Sequence, residues 1–593
     1  MKGGYHFRYL DIDLDAGSAS IGEPDPELLK KFIGGKGLGL ALLCDLDRSD
    51  DPLDPENPMI FLAGPLTGTA ITTSNRSCVV TRSPLTRGFL DSHAGGHFGT
   101  ALRGAGYDYI IIRGKSESPV YIKVNPEGVE MHDASDLWGS GCYRTEDILR
   151  ERHPGSIAAS IGPAGENLVK FACISTDKYR QFGRGGAGAV MGSKNLKAIV
   201  LEGRESVPLH DNARFRELAV QMTKETIAHP NRKKRYELGT PMWVRMGQET
   251  GGFLPTHNFK YGTWKDYESL TSETMKKELE WKSCGCYNCV IQCSKRVTYD
   301  GGDFEGPEYE TAAYLGSGCE LADAKALASA NSLCDDLGLD SISCGVTISF
   351  AMEAAEKGLL SPEDNEWIRF GSAGAVLELI NKIARREGIG DMLAEGTRIA
   401  SSRIGKDSGY FAIQVAGMEL SGVNPLGCYS MALALTTSDF ASHTRLWTAT
   451  DEMNGNLELE KLIPYIAGGQ DDVNVRNSII VCDFLMFGLD RLAPMVEAAT
   501  GHPYTKDELL LVGERIHSLA RLYNLRTGRT HADDILPGRF HGEESCSGLM
   551  RGRKIPREMF ERHLQEYFAH RGWDREGRPT VETLERLGLV QYL

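Results

Sequence analysis

Three cysteines, Cys286, Cys289 and Cys293, stand at C-x2-C-x3-C spacing in CGCYNCVIQCSKRV, and a fourth, Cys482, occurs alone in RNSIIVCDFLMFGLD. Thiolates hold iron–sulfur clusters, and a [4Fe–4S] cube takes four of them, commonly three close together and one from a remote segment. A structural zinc site would more often present two C-x2-C pairs around a short loop. The spacing therefore points to a one-electron relay. Cys284, two residues upstream, could stand in for Cys286, and unreacted thiols packed as small hydrophobes are the plain alternative.

Two segments pair glycine with arginine. TSNRSCVVTRSPLTRGFLDSHAGGHFG holds Arg76, His93 and Gly95, and YRQFGRGGAGAVMGSKNLKAI holds Arg180, Gly183 and Arg184. Glycines that let backbone N–H groups approach, flanked by guanidinium groups, suit a phosphate-bearing ligand. Turns with surface arginines would look similar. A dinucleotide fingerprint is not met: G-x-G-x-x-G fails at Met191 after Gly186 and Gly188, and at Leu40 after Gly35 and Gly37.

Stepping outward, 593 residues exceed one ordinary core and predict two to four domains. A net charge of −15 argues against nucleic acid as the main partner, which would need a basic surface. MKGGYHFRYLDIDLD lacks the apolar core of a signal peptide, and no run approaches a membrane span. Fourteen scattered cysteines fit a reducing cytoplasm better than a disulfide framework. The expected class is α+β. Residues 1–205 read as β-rich, with short apolar runs closed by Gly and Pro and a hairpin in YDYIIIRGKSESPVYIKVN turning through Lys115 to Pro119. GRESVPLHDN reads as a linker. Residues 206–410 change to helical periodicity, with helices closed at Gly338, Gly358 and Gly388. Residues 411–593 mix helices with irregular segments.

GGKGLG, GPLTGT, VVTRSPLT, GRGGAGAVMGSKNLKAI, LPTHNF, the cysteine triplet, GPEYET, CDDLGLDSIS and Cys482 together carry a resemblance. Along nearly its whole length the chain resembles the tungsten-dependent aldehyde ferredoxin oxidoreductase family. The resemblance implies a β-rich N-terminal domain followed by two mainly helical ones. It also implies tungsten (molybdenum in some relatives) on two pyranopterin dithiolenes, a Mg2+ ion between their phosphates, and one [4Fe–4S] cluster on Cys286, Cys289, Cys293 and Cys482. Arg76, the His93–Gly95 turn, Arg180, Gly183, Arg184 and Arg445 would grip a pterin, with the main-chain carbonyls of His93 and Gln181 on Mg2+. Asp335, Leu339 and Asp340 match a D-x3-L-D pterin contact, and Asn477, Val481 and Asp483 would surround Cys482. Asn477 replaces the family's usual aspartate.

Glu310 and His443 fall on the family's active-site acid and histidine, residue types able to move the protons released when an aldehyde becomes an acid. The histidine segment TSDFASH departs from the family's TSxRGADH, and NPLG at Asn424–Gly427 replaces DPRG. Ser329 occupies the place of a glutamate that bridges iron between subunits in one archaeal relative, so an iron-bridged dimer is not expected. Cys319 lies nine residues after Glu310, near enough in sequence to reach the metal, although buried packing is the expected role. The leading expectation is aldehyde oxidation, with electrons leaving through the cluster to ferredoxin or an Fe–S partner subunit, in a homodimer or a larger complex. The alternative is the tungsten catalytic subunit of a low-potential reductase complex acting on a non-aldehyde such as an aromatic acyl-CoA. A third reading is an Fe–S subunit without the tungsten site.

Overall fold

The computed structural model describes residues 1–545 and 548–593. Its first part is built on two six-stranded sheets. Strands β1 (Tyr9–Asp13), β2 (Ser18–Gly22), β3 (Met59–Leu62), β4 (Ser77–Arg82), β5 (Phe89–Ala94) and β6 (Tyr109–Arg113) run in the order β2-β1-β6-β3-β4-β5. Strands β7 (Val120–Asn125), β8 (Gly128–Asp133), β9 (Ile157–Ser160), β10 (Ile174–Thr176), β11 (Arg180–Phe182) and β12 (Leu196–Leu201) run in the order β11-β10-β9-β12-β7-β8. Each sheet has one parallel pair, β1 with β6 and β7 with β12.

Alternation along the strands divides the core into layers. Leu10, Ile12, Phe61, Val79, Ile110 and Ile112 face the second sheet, where Ile122, Val124, Ile174, Phe182 and Ile199 meet them. Their neighbours Ile60, Leu62, Val80 and Ile111 face the other way, into a core shared with Leu40, Val475, Ile479, Leu492 and Ile516. Those partners lie on helices Gly35–Leu46, Leu462–Ile479, Leu489–Thr500 and Lys506–Arg526. The end of the chain therefore returns to cover the first sheet. This is why all four residues of β3 and all six of β4 are buried, although neither strand belongs to a parallel pair.

Two expectations are corrected. The segment from Tyr109 to Asn125 is not a hairpin, because β6 pairs with β1 and β3 while β7 pairs with β8 and β12. Each of its two apolar runs is claimed by a different sheet, and the link is held by Ser116 N–H donating to Lys194 O and Val120 N–H to Asn195 O. The helix Ala373–Arg385 stops at Arg386 rather than Gly388. Arg386 adopts left-handed backbone (φ 55°), and its guanidinium donates to the carbonyls of Asn167 and Leu168. Gly338 and Gly358 do follow the helices Ala324–Leu337 and Ser341–Glu356, as expected.

The middle of the chain adds a three-stranded sheet, β13 (Lys282–Cys284), β14 (Ser294–Tyr299) and β15 (Gly302–Glu305). The cysteine loop is the connection between β13 and β14. In GRGGAGAVMGSK, Gly188 lies on the helix Ala187–Ser193, where an added Cβ would run into the Cys173 carbonyl. That glycine serves backbone packing. Gly188→Ala should destabilise the protein by about 1–3 kcal/mol, read as a lowered thermal unfolding midpoint.

Candidate active site and thiol cluster

A cavity of about 890 Å³ lies between the β-rich part and the helices, and the separated motifs meet on its wall. Cys286, Cys289, Cys293 and Cys482 all line it. Cys482 arrives because the helix Leu462–Ile479 ends on Ile480 in left-handed backbone (φ 62°), after which Cys482 N–H donates to Thr73 O at 3.3 Å. The three other thiols come from the β13–β14 loop. Burial pushes the Cys289, Cys293 and Cys482 thiols above the ordinary range, so a cation must supply the charge that would make them thiolates. Among the described residues no three His, Cys, Asp or Glu side chains sit as ligands of one ion do. A cube asks for something else, since each thiolate binds a different iron. Cys284 is not on the cavity wall, whereas Cys286 is.

Two guanidinium groups separate the thiols from the rest of the cavity. Arg76 Nη1 lies 3.7 Å from Cys482 Sγ and 3.3 Å from Asp483 Oδ1, and its Nε is buried without a partner. Arg180 pairs with Glu305 at the end of β15 and feels the Cys286 thiol. Gly95 brings the backbone against the same sulfur, since an added Cβ would stand 2.7 Å from Cys286 Sγ. A Cβ on Gly183 would meet nothing within 4 Å, so that glycine faces the cavity. His93 and Gln181 lie on β5 and β11, the edge strands of the two sheets, where outward carbonyls have no strand neighbour. The orphaned Arg76 Nε, the open backbone at Gly183 and the guanidinium ring fit a bulky anionic cofactor.

Beneath this wall lies a buried quartet of charge. Arg445 grips Asp91 through Nη1 (3.0 Å) and Nη2 (2.5 Å), and its Nε is 3.0 Å from Asp439 Oδ1. Lys36, from GGKGLG, pairs with Asp439 and lies 3.7 Å from Asp91. The Arg445 and Lys36 charges hold both carboxyls below their usual range against the opposing cost of burial. Asp91 also holds His93 Nε2 at 2.8 Å, while burial lowers that imidazole to about 4 and keeps it neutral.

Glu310 and His443 face each other on the same wall, Glu310 Oε1 lying 3.5 Å from His443 Nδ1. Glu310 belongs to the short helix Tyr309–Thr311, which runs into a π-helical turn, Ala312–Gly316. The Ser421–Gly422 turn fixes the pair. Gly422 N–H donates to Glu310 Oε2 at 3.1 Å, Tyr309 hydroxyl donates to Gly422 O at 2.7 Å, and Ser421 Oγ is 3.1 Å from His443 Nδ1. Burial raises Glu310 to about 8. Burial, reinforced by the Arg184 charge, lowers His443 to about 3. At neutral pH the pair is a carboxylic acid beside a neutral imidazole, an arrangement that can pass a proton in either direction.

Other expected site residues stand behind the wall. Asp335 accepts from Gln181 Nε2 (2.8 Å) and Asn331 Nδ2 (3.1 Å). Asp340 caps the helix Ser341–Glu356 and holds Arg184 Nε at 3.2 Å. Leu339 and Val481 are buried in the cores. None of these four lines the cavity, whereas Arg184, Arg445, Asn477 and Asp483 do. Cys319 is buried against the carbonyls of Tyr314 and Gly345, away from the cavity. Asn424 binds the carbonyls of Phe259 and Tyr261, so NPLG shapes a loop. Sequence reasoning missed the aromatic part of the wall, Trp243, Tyr309, Phe440 and Trp447, whose spacing has no pattern. It also missed Asp91 and Asp439.

The family's N-terminal domain matches residues 9–203, and its domains 2 and 3 match residues 217–589. The chain belongs to the aldehyde ferredoxin oxidoreductase family. It is 38% identical over 613 residues to the tungsten-containing aldehyde ferredoxin oxidoreductase of Pyrococcus furiosus, covering 99% of each chain. It is 30% identical over 636 residues to the WOR-like subunit of an aliphatic sulfonate oxidoreductase of the same organism, covering 99% of this chain and 97% of that one. Among solved structures it resembles the active-site complex of benzoyl-coenzyme A reductase bound to 1,5-dienoyl-CoA, with a TM-score of 0.85 and 26% identity over 100% of this chain and 98% of that one. As a member of the aldehyde ferredoxin oxidoreductase family the protein is an oxidoreductase. No helix among the described residues is long and apolar enough to cross a membrane.

Cys289→Ala should leave the fold intact and remove iron and visible absorbance from anaerobically purified protein. Retention of a full iron complement in that variant would contradict the thiol assignment.

Proposed function

We propose that the protein oxidises an aldehyde to a carboxylic acid in the cavity beside Glu310 and His443. Electrons leave through a [4Fe–4S] cluster on Cys286, Cys289, Cys293 and Cys482 to ferredoxin or an Fe–S partner. The observation that carries the reading is Glu310 Oε1 lying 3.5 Å from His443 Nδ1, on one cavity wall with four thiols from two distant segments. Arg76, Arg180, Gly183 and Arg184 would hold a tungsten-bispyranopterin between the proton pair and the thiols, with the His93 and Gln181 carbonyls on Mg2+. When bound, that cofactor supplies the two-electron oxidant and the Lewis acid.

The chain's own contribution is to position, exclude water and move protons. In its ionised form Glu310 Oε1 takes a proton from the oxygen nucleophile and hands it toward His443 Nδ1 or to solvent. Ser421 Oγ orients the imidazole through Nδ1, leaving Nε2 without a protein partner among the described residues and free to meet the substrate oxygen. Trp447 stands edge-on to His443, with ring centroids 6.2 Å apart, and lies 4.9 Å from Trp243. These indoles give the substrate end of the cavity an apolar wall suited to bulky or aromatic aldehydes. The same wall, with the overall likeness to the benzoyl-coenzyme A reductase complex, favours the second reading, a low-potential reductase acting on an aromatic acyl thioester. An aldehyde panel with a viologen acceptor, run with anaerobic metal analysis, separates the two.

Glu310→Gln should keep both metals and lower kcat by at least about 100-fold, the usual scale for losing a general base. Turnover near the unmutated rate would show that another group carries the proton. Because the base must be ionised, kcat/KM should climb with pH up to about 8 and level off above it. Stability runs the opposite way. Between about 4.5, where the unfolded carboxyl ionises, and about 8, the native state keeps a proton that the unfolded chain has shed. Stability therefore falls as pH rises through that window. Glu310→Gln should remove the Glu310 share of this dependence, making a pH series of thermal midpoints less steep between those values.

A further inference from the structure

The helix Pro230–Leu238 carries Arg232, Lys233, Lys234 and Arg235 in succession, in a chain of net charge −15. None of its residues is buried, and the Lys233 side chain is 75% exposed with one carboxylate, Glu237, 3.9 Å away. Its underside is tied to the cysteine loop. Arg232 Nε donates to Val290 O at 2.9 Å, and Lys295 Nζ donates to the carbonyls of Tyr236 (2.9 Å), Arg235 (3.2 Å) and Cys293 (3.2 Å). The Arg235 guanidinium lies 4.4 Å over the ring of Phe484, two residues after Cys482. The helix is thus fixed against both segments that supply thiols.

Around it the surface is apolar as well as basic. Tyr287, between Cys286 and Cys289, is 42% exposed, Tyr236 is 37% exposed and Ile227, one turn before the helix, is 52% exposed. Aromatic and aliphatic groups ringed by charge are the makeup of a transient protein contact. This is where the cysteine loop comes nearest to solvent, and single-electron transfer falls steeply with distance.

We infer that the helix Pro230–Leu238 and the Cys286–Cys289 turn form the docking surface for an acidic one-electron carrier protein. The inference rests on the proposed reading of the four thiols as cluster ligands. An acidic carrier is repelled by the chain's net charge and drawn to this patch, which steers it and speeds encounter at low salt. The balance is one aldehyde and one water giving one acid, two protons and two electrons. Two oxidised carriers leave with one electron each, and the protons pass to solvent.

Lys233 and Lys234 touch neither the cavity nor the thiols, so their reversal isolates docking. The test compares Lys233→Glu/Lys234→Glu holoenzyme with the unmutated holoenzyme, using an acidic [4Fe–4S] ferredoxin, methyl viologen and basic cytochrome c. Ferredoxin-coupled kcat/KM should fall about 10-fold or more at low ionic strength and lose its salt dependence. Viologen reduction should stay within about twofold, and cytochrome c reduction should not fall. Ferredoxin binding to the holoenzyme, measured without substrate, should weaken in parallel, and the milder Lys233→Ala/Lys234→Ala variant should lie between. Ferredoxin rates and binding that survive charge reversal overturn the docking surface. Viologen reduction absent from the unmutated holoenzyme would instead sink the redox reading, while the binding measurement still decides the surface.

Discussion

Close backbone contact between the helix Leu462–Ile479 and the loops of the first sheet governs everything built around the cavity. Gly35 lies against the Asn477 carbonyl and Gly64 against that of Ile479, positions where any side chain would collide. The contact seats the helix so near β3 that its end overhangs the loop before β4. Ile480 turns the chain there in a conformation that costs a branched residue roughly 1–3 kcal/mol. The turn places Cys482 beside Thr73 and Arg76, facing a loop nearly two hundred positions earlier. A site made of remote segments needs one rigid contact of this sort, because packed cores deform little.

From that contact the functional groups sort into two ends. Near the thiols the wall is ionic, with guanidinium groups, carboxylates and edge-strand carbonyls. Near Glu310 and His443 it is aromatic and dry enough to keep an acid protonated and an imidazole neutral. Arg184 braces the second end. Its guanidinium reaches Asp340, Ser343 and the carbonyls of Glu419 and Ala441, and its charge depresses His443. One cavity thus holds two ends of different polarity.

The sequence disclosed the chemistry better than the connections. Cysteine spacing has few physical meanings and Arg–Gly segments suit an anionic ligand, so Cys286, Cys289, Cys293, Cys482, Arg76 and Arg184 could be singled out in advance, and all six line one cavity. The apolar runs of β6 and β7 were legible as strands, but which sheet each joins is decided by partners far along the chain, and the expected hairpin did not form. Arg386 ended a helix that glycine was expected to end, since its side chain found carbonyls from a loop more than two hundred residues away. Asp335 and Asp340 were read as cofactor contacts, and their carboxylates also hold Gln181 and Arg184 on the wall. Trp243 and Trp447 gave no warning, because one sits on a five-residue helix and the other on an irregular segment, both too short to show a period.

Lys36, Asp91 and the segment bearing both Asp439 and Arg445 come from three separate stretches of chain, and the four charges sum to zero. Stripping one partner from such an interior set leaves an unmatched charge, at a penalty of about 3–5 kcal/mol. A chain with the stretch of Lys36 or that of Asp91 misplaced meets that penalty at once, so the quartet acts as a proofreading device for assembly. A single substitution here meets that penalty, which couples the start of the helix carrying Lys36 to the segment carrying Asp439 and Arg445.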